Sequence, residues 1–278
     1  MIIQAASSGN SSLTKNNVTV RGNLSSTRTL VFGHGFGTNQ KVWNFVRTAF
    51  EKEFRIVLYD NIGASHSDLS FYKPERYGDL DGYKQDLLDI CNALQLQEII
   101  FVGHSVSGIV GLLASLDRPN LFSKLILIGS SARYIDDVGY TGGFKQGDLD
   151  NIYGQITSNY EEWAKGFSAM AMRNDDRPLF AEGFMSGLLS LRPDIALPLI
   201  KTIFQSDFRS VLPLVQHPTL IIQADKDLAV PSEAAEYLYH HILGSKMAYV
   251  SAEGHFPHIT APEAIISAIS EFLFDKSV

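Results

Sequence analysis

Short apolar runs alternate along the chain with longer stretches in which apolar residues recur every third or fourth position. Runs of the first kind lie at Val18–Arg21, Thr29–Phe32, Arg55–Tyr59, Ile99–Val102, Leu125–Ile128, Thr219–Gln223 and Lys246–Val250. They are too short for helices and read as strands. The second pattern predicts helices over Val42–Phe50, Leu80–Leu94, Ser232–Leu243 and a final segment whose buried stripe is Ile265, Ile269, Phe272 and Leu273. Strands alternating with helices imply an α/β protein with a mostly parallel sheet flanked by helices on both faces.

The alternation stops between about Tyr134 and Phe208. That stretch reads as helical segments broken at Gly142-Gly143, Asp175–Pro178 and Arg192-Pro193, and it is rich in Phe, Tyr, Trp and Met. An aromatic helical insertion after a central strand is expected to cover a ligand pocket, since such pockets are mostly apolar; the same aromatics also serve to pack the insertion onto the body. The expected organisation is a loose polar tail over 1–16, an α/β core over 17–133 and 209–278, and a lid over 134–208.

The centre of the pattern is Glu98–Arg118. A buried strand, Ile99–Val102, is followed by Gly103-His104-Ser105-Val106-Ser107-Gly108. Val106, Ile109, Val110 and Leu113 then take up helical spacing. Strand, tight turn with a central serine and immediate helix make a nucleophile elbow, although Ser107 stands where the second glycine of G-x-S-x-G would be. The plainer alternative is a serine capping an ordinary βα loop. Upstream, Gly33-His34-Gly35-Phe36-Gly37 places three glycines in a loop after an early strand. Its Phe36 N–H, with that of Val106, is expected to form an oxyanion hole. Asp60, at a strand end, is expected to fix its own loop.

A serine needs a base, and the base an orienting carboxylate. Serine hydrolases on open α/β sheets carry them in the order nucleophile, acid, histidine. Ser105, Asp227 and His255 satisfy that order and follow strands, so they are the expected catalytic set. Asp225 competes for the acid role and His258 for the base. His255 and His258 lack the helical spacing and third ligand of a metal pair, so no metal or other cofactor is expected.

Composition narrows the field further. The net charge of −7 and the absence of a Lys/Arg cluster argue against a nucleic-acid partner. No stretch approaches the roughly 20 apolar residues of a membrane span, and the start lacks the pattern of a signal peptide. The single cysteine, Cys91, is in phase with Leu87, Leu88 and Leu94 and is expected to pack in the core. A cytoplasmic monomer is the expectation.

Nearly the whole chain from Val18 onward resembles one α/β-hydrolase subfamily. The resemblance is carried by GHGFGTNQKVW, YDNIGASHSD, FVGHSVSG, LASLDRPNLFSKLILIGSSARYIDD, GGF, RPDIAL, TIFQSDFRSVLP, KDLAVP and EGHFPHITAP. The subfamily contains the bacterial stress regulator RsbQ and the plant karrikin and strigolactone receptors. The resemblance implies a four-helix V-shaped lid over an apolar pocket, with Phe36, Tyr134, Phe144, Trp163, Phe184, Phe204 and Leu228 at pocket positions. It matches the acid to the aspartate of KDLAVP, Asp227, and accepts serine at position 107. It implies a serine hydrolase of a small apolar ester or lactone. Alternatively it implies a ligand sensor that binds a protein partner, such as a PAS-domain PP2C-type phosphatase or an F-box protein.

Overall fold

The computed structural model describes residues 3–4, 11–64 and 66–274. Among these, eight strands form one sheet: β1 (Ile3–Gln4), β2 (Thr19–Gly22), β3 (Thr29–Gly33), β4 (Arg55–Leu58), β5 (Ile99–His104), β6 (Phe122–Ile128), β7 (Thr219–Lys226) and β8 (Lys246–Glu253). Their order is β1-β2-β4-β3-β5-β6-β7-β8. β2 runs antiparallel to both its neighbours, β1 and β4, whereas the six strands from β4 across to β8 are all parallel.

Eleven helices surround the sheet among the described residues: α1 (Ser11–Lys15), α2 (Asn44–Arg47), α3 (Asp81–Ala93), α4 (Val106–Asp117), α5 (Gln146–Ser158), α6 (Tyr160–Met172), α7 (Pro178–Ser190), α8 (Pro193–Phe204), α9 (Ser232–His241), α10 (Pro257–Thr260) and α11 (Pro262–Phe274). The expected helix over Val42–Phe50 is a 3₁₀ turn, Gln40–Trp43, running into the short α2.

The apolar runs are continuous because both faces of the parallel strands are buried. Val31, Val57, Phe101, Leu127 and Ile221 point to one face, where residues of α3, α4 and α9 cover them. Their neighbours Phe32, Leu58, Val102, Ile128 and Ile222 point to the other, against α2 and α11. Cys91 is buried as expected, and burial pushes its thiol up to about 12. Four helices, α5 to α8, intervene between β6 and β7.

The loose-tail expectation for 1–16 is corrected where the structure describes it; residues 1–2 and 5–10 lie outside the described residues. Ser11–Lys15 is helical, and Leu13, Lys15 and Asn16 are buried. The cause is Asp86 on α3. Its carboxylate accepts hydrogen bonds from Lys15 Nζ at 2.6 Å, Arg76 Nη2 at 2.7 Å and the Tyr77 hydroxyl at 3.0 Å. Asp60, fully buried, ties other segments together and not the loop that follows it: Oδ1 accepts from the Gln40 N–H and Oδ2 from Asn17 Nδ2.

Removing one partner of a buried ion pair leaves the other charge without compensation. Asp86→Ala is therefore expected to destabilise the protein by about 3–5 kcal/mol in equilibrium urea unfolding. A loss below about 1 kcal/mol, the size typical of a surface pair, would show that Asp86 does not hold the N-terminal helix in place.

Candidate active site

Strand β5 delivers Ser105 into a backbone conformation that few side chains adopt, with φ 55° and ψ −127°. The sharp reversal lets α4 begin at the next residue. It requires that nothing project from Gly103, where a Cβ would lie 2.6 Å from the Gly108 nitrogen. The turn is held from β6: the Ser105 N–H donates to the Ile128 carbonyl at 2.8 Å, and the Ser130 hydroxyl donates to the Ser105 carbonyl at 2.9 Å. Val106 opens the helix, so its N–H has no partner one turn earlier and is free to face a developing oxyanion.

The other two residues of the expected set arrive from strand ends on the same side. Asp227 follows β7 and His255 follows β8. The Asp227 Oδ2 accepts the His255 Nδ1–H at 2.7 Å, and His255 Nε2 accepts the Ser105 hydroxyl at 2.9 Å. The second oxygen of Asp227 is occupied by the N–H groups of Ala229 and Val230 at 2.8 and 3.1 Å. These fix the carboxylate while leaving Oδ2 for the imidazole. Asp225, the alternative acid, is exposed.

The loop after β3 lies over the elbow. A Cβ built on Gly35 would sit 3.3 Å from the Ser105 Cβ, and Phe36 lines the same cavity as the serine. His34 braces this loop: its Nδ1–H donates to the Gly35 carbonyl at 2.9 Å and its Nε2 accepts the Asn61 N–H at 2.9 Å. Ser107 donates its hydroxyl to the His34 carbonyl at 2.5 Å, and Asn61 Nδ2 donates to the same oxygen at 3.0 Å. The serine in place of the second glycine therefore ties the elbow to the neighbouring loop.

Above Ser105 lies a cavity of about 40 Å³. Of the expected pocket residues, Phe36, Tyr134, Phe184 and Phe204 line it. Phe144 and Trp163 stand one ring behind. Phe144 packs on Phe204 with centroids 5.0 Å apart, and Trp163 stacks on Phe167 at 5.2 Å. Leu228 is corrected outright, being 50% exposed. The turn that Asp227 closes onto the N–H groups of Ala229 and Val230 leaves the Leu228 side chain outward and brings Ala229 to the cavity. Phe167, Ala171, Ile200, Ile203 and Phe256 also line it and were not foreseen. Phe167 belongs to the aromatic insertion and Phe256 directly follows His255, whereas Ala171, Ile200 and Ile203 had only helical spacing as a signal. Burial pushes the Tyr134 hydroxyl up to about 12, against the opposing effect of the Ser105 side chain beside it, so it stays protonated and can donate to a ligand.

His258, the alternative base, is buried away from the cavity. It lies between the rings of Trp43 and His104, 4.6 and 4.4 Å away centroid to centroid. Neither of its nitrogens has a hydrogen-bond partner among the described residues, and burial pushes its pKa down to about 3. No cluster of three or more potential metal ligands occurs among the described residues. Nor is any helix there long and apolar enough to cross a membrane.

A family model for the alpha/beta hydrolase fold matches residues 28–262. A probable esterase from Oryza sativa subsp. japonica is 43% identical over 241 residues, covering 86% of this chain and 89% of that protein. The karrikin insensitive 2 receptor CA of Petunia hybrida is 41% identical, covering 87% of this chain and 90% of that protein. Among solved structures, a hydrolase from Oleispira antarctica matches with a TM-score of 0.91 at 30% identity, covering 95% of this chain and 96% of that one.

A histidine that stays neutral in the fold makes stability pH-dependent. Below the ordinary value of 6.5 the unfolded chain takes up a proton that buried His258 refuses until about pH 3, so stability falls as the pH drops through that window. At pH 5 the contribution is about 2 kcal/mol. In urea titrations at pH 7 and pH 5, His258→Phe is expected to lose less stability than the wild type by that amount. Equal losses would mean that His258 is protonated within the fold.

Proposed function

The chain belongs to the α/β-hydrolase family, and from that premise we propose that it is a serine hydrolase cleaving a small apolar carboxylic ester or lactone. The observation that carries the reading is the unbroken chain from the Asp227 carboxylate through the His255 imidazole to the Ser105 hydroxyl, at 2.7 and 2.9 Å. In the first step His255 Nε2 takes the hydroxyl proton as the Ser105 oxygen attacks the carbonyl carbon. Asp227 keeps the proton on Nδ1 and stabilises the imidazolium. The negative charge on the carbonyl oxygen is met by the N–H groups of Phe36 and Val106. Collapse expels the alkoxide, which His255 protonates, and leaves an ester on Ser105. Water, deprotonated by the same imidazole, then releases the acid and restores the serine.

The substrate class follows from the walls. Five phenylalanines and Tyr134 surround Ser105, so acyl and leaving groups gain from apolar contact while Tyr134 offers one donor. In this reading 17–133 and 209–278 carry the chemistry and 134–208, with α5 to α8, serves as the lid. Where the substrate is a lactone, the leaving alkoxide stays attached to the acyl group, and one product is released.

A second reading is favoured by the 41% identity to a protein named karrikin insensitive 2 receptor CA. Here the same site senses a ligand and the lid surface signals to a protein partner, such as a PAS-domain PP2C-type phosphatase, with slow hydrolysis. Leu179 and Leu189 on α7 are exposed and would belong to such a surface. Leu179→Lys separates the readings, since loss of a cellular response with esterase turnover intact supports signalling.

Turnover of a p-nitrophenyl ester is expected to disappear in Ser105→Ala and to fall about 10⁴-fold in Asp227→Asn, where the imidazole loses its orienting acceptor. Intact-protein mass spectrometry should show an acyl or phosphonyl adduct on Ser105. Wild-type rates in Ser105→Ala would overturn the mechanism.

A further inference from the structure

His104, the residue before the serine, is fully buried and lines the floor of the cavity, yet the mechanism above does not use it. Its surroundings are unusual in that they include all three parts of the site. Through the chain it is joined to Ser105. Its Nε2 lies 2.7 Å from the backbone carbonyl of His255. A carbonyl only accepts, so Nε2 carries the proton and donates it. On its other side the ring meets the oxyanion loop: a Cβ on Gly35 would fall 2.6 Å from His104 Nδ1. Only a glycine lets that loop come so close.

We propose that His104 is a positioning residue, and that its Nε2–H bond to the His255 carbonyl, with its ring packed on Gly35, sets the spacing of nucleophile, base and oxyanion loop. The proposal rests on the serine-hydrolase reading of Ser105, Asp227 and His255.

The geometry explains why a side chain of this shape occupies the position. The peptide unit of the base is gripped from two directions. Its N–H donates to the Ala171 carbonyl at the end of α6 at 2.7 Å, and its C=O receives His104. Without the second bond the carbonyl would be left with a buried, unpaired lone pair, and the loop would be held from the lid side alone. Burial and the neighbouring rings of His258 and His255 keep the His104 pKa well below the ordinary value, so the ring is neutral. A neutral ring with one fixed proton gives the bond a single direction. Rings of His255, Phe256 and His258 lie 4.8, 5.0 and 4.4 Å away and prevent a flip by crowding.

The test compares His104→Gln, whose amide N–H reaches about as far as imidazole Nε2, with His104→Met, which has similar bulk and no donor. With a p-nitrophenyl ester, Met is expected to lower kcat about 10- to 100-fold with KM nearly unchanged, and Gln to recover most of it. The imidazole ¹⁵N–¹H spectrum of the wild-type protein should show His104 as the Nε2–H tautomer. A folded Met variant with wild-type kcat, a Gln variant no better than Met, or the Nδ1–H tautomer would each overturn the proposal. Should Met fail to fold, Gln and the tautomer decide: the tautomer must be Nε2–H, and a tenfold loss of kcat in Gln overturns it. Ser105→Ala in the same assay separates the two levels. Turnover without Ser105 overturns the triad and the role of His104 together, whereas Ser105-dependent turnover with any failure above leaves the triad standing.

Discussion

The molecule depends first on one reversal of backbone. At Ser105 the chain passes from a strand at the middle of the sheet into a helix within a single residue, in a conformation that costs about 1–3 kcal/mol for a side chain other than glycine. That cost is met by the surroundings: the bonds to the Ser105 N–H and C=O from Ile128 at the end of β6 and from Ser130 just past it, the bare Gly103 and the close approach of Gly108 to Ser130. A nucleophile on an ordinary turn would point along the sheet or lie against it. Here its hydroxyl stands clear of the strand ends, where the loops after β3, β7 and β8 converge.

Those loops are cross-braced to one another and not only to the sheet. His34, Asn61 and Ser107 form one brace, joining the loop after β3 to the elbow and to the loop after β4. Asp227 closes its own turn with one oxygen and holds His255 with the other. His104 joins the elbow to the peptide of His255. Most of these polar groups are buried, and in a low-dielectric site that makes each bond stiffer and each missing partner costlier. Such rigidity suits a reaction in which charge appears for an instant and must meet donors already in place.

Much of this was legible in the sequence because it is written locally. Buried parallel strands need runs such as Ile99–Val102, and the elbow needs small residues at fixed offsets from Ser105. The order of Ser105, Asp227 and His255 along the chain follows from strand order, and the structure brings all three within hydrogen-bond reach. What was not legible depends on distant partners. Ser11–Lys15 is too short and polar to announce itself; it is fixed by Asp86, 71 residues away from Lys15. Which face of α6 or α8 turns toward Ser105 is decided by how the helices seat on the body. The sequence therefore offered Trp163 where Phe167 and Ala171 reach the cavity. Leu228 failed because the direction of one side chain in a tight turn is set by the bonds of its neighbour.

The link between Ala171 and His255 has a consequence for traffic through the site. Helix α6, which gives Phe167 and Ala171 to the cavity wall, is fastened to the peptide of His255 itself. A guest that shifts α6 would therefore be felt at the imidazole, so that filling the cavity and aiming the ring are mechanically linked. Pressure on that wall could misalign the ring without any contact at Ser105.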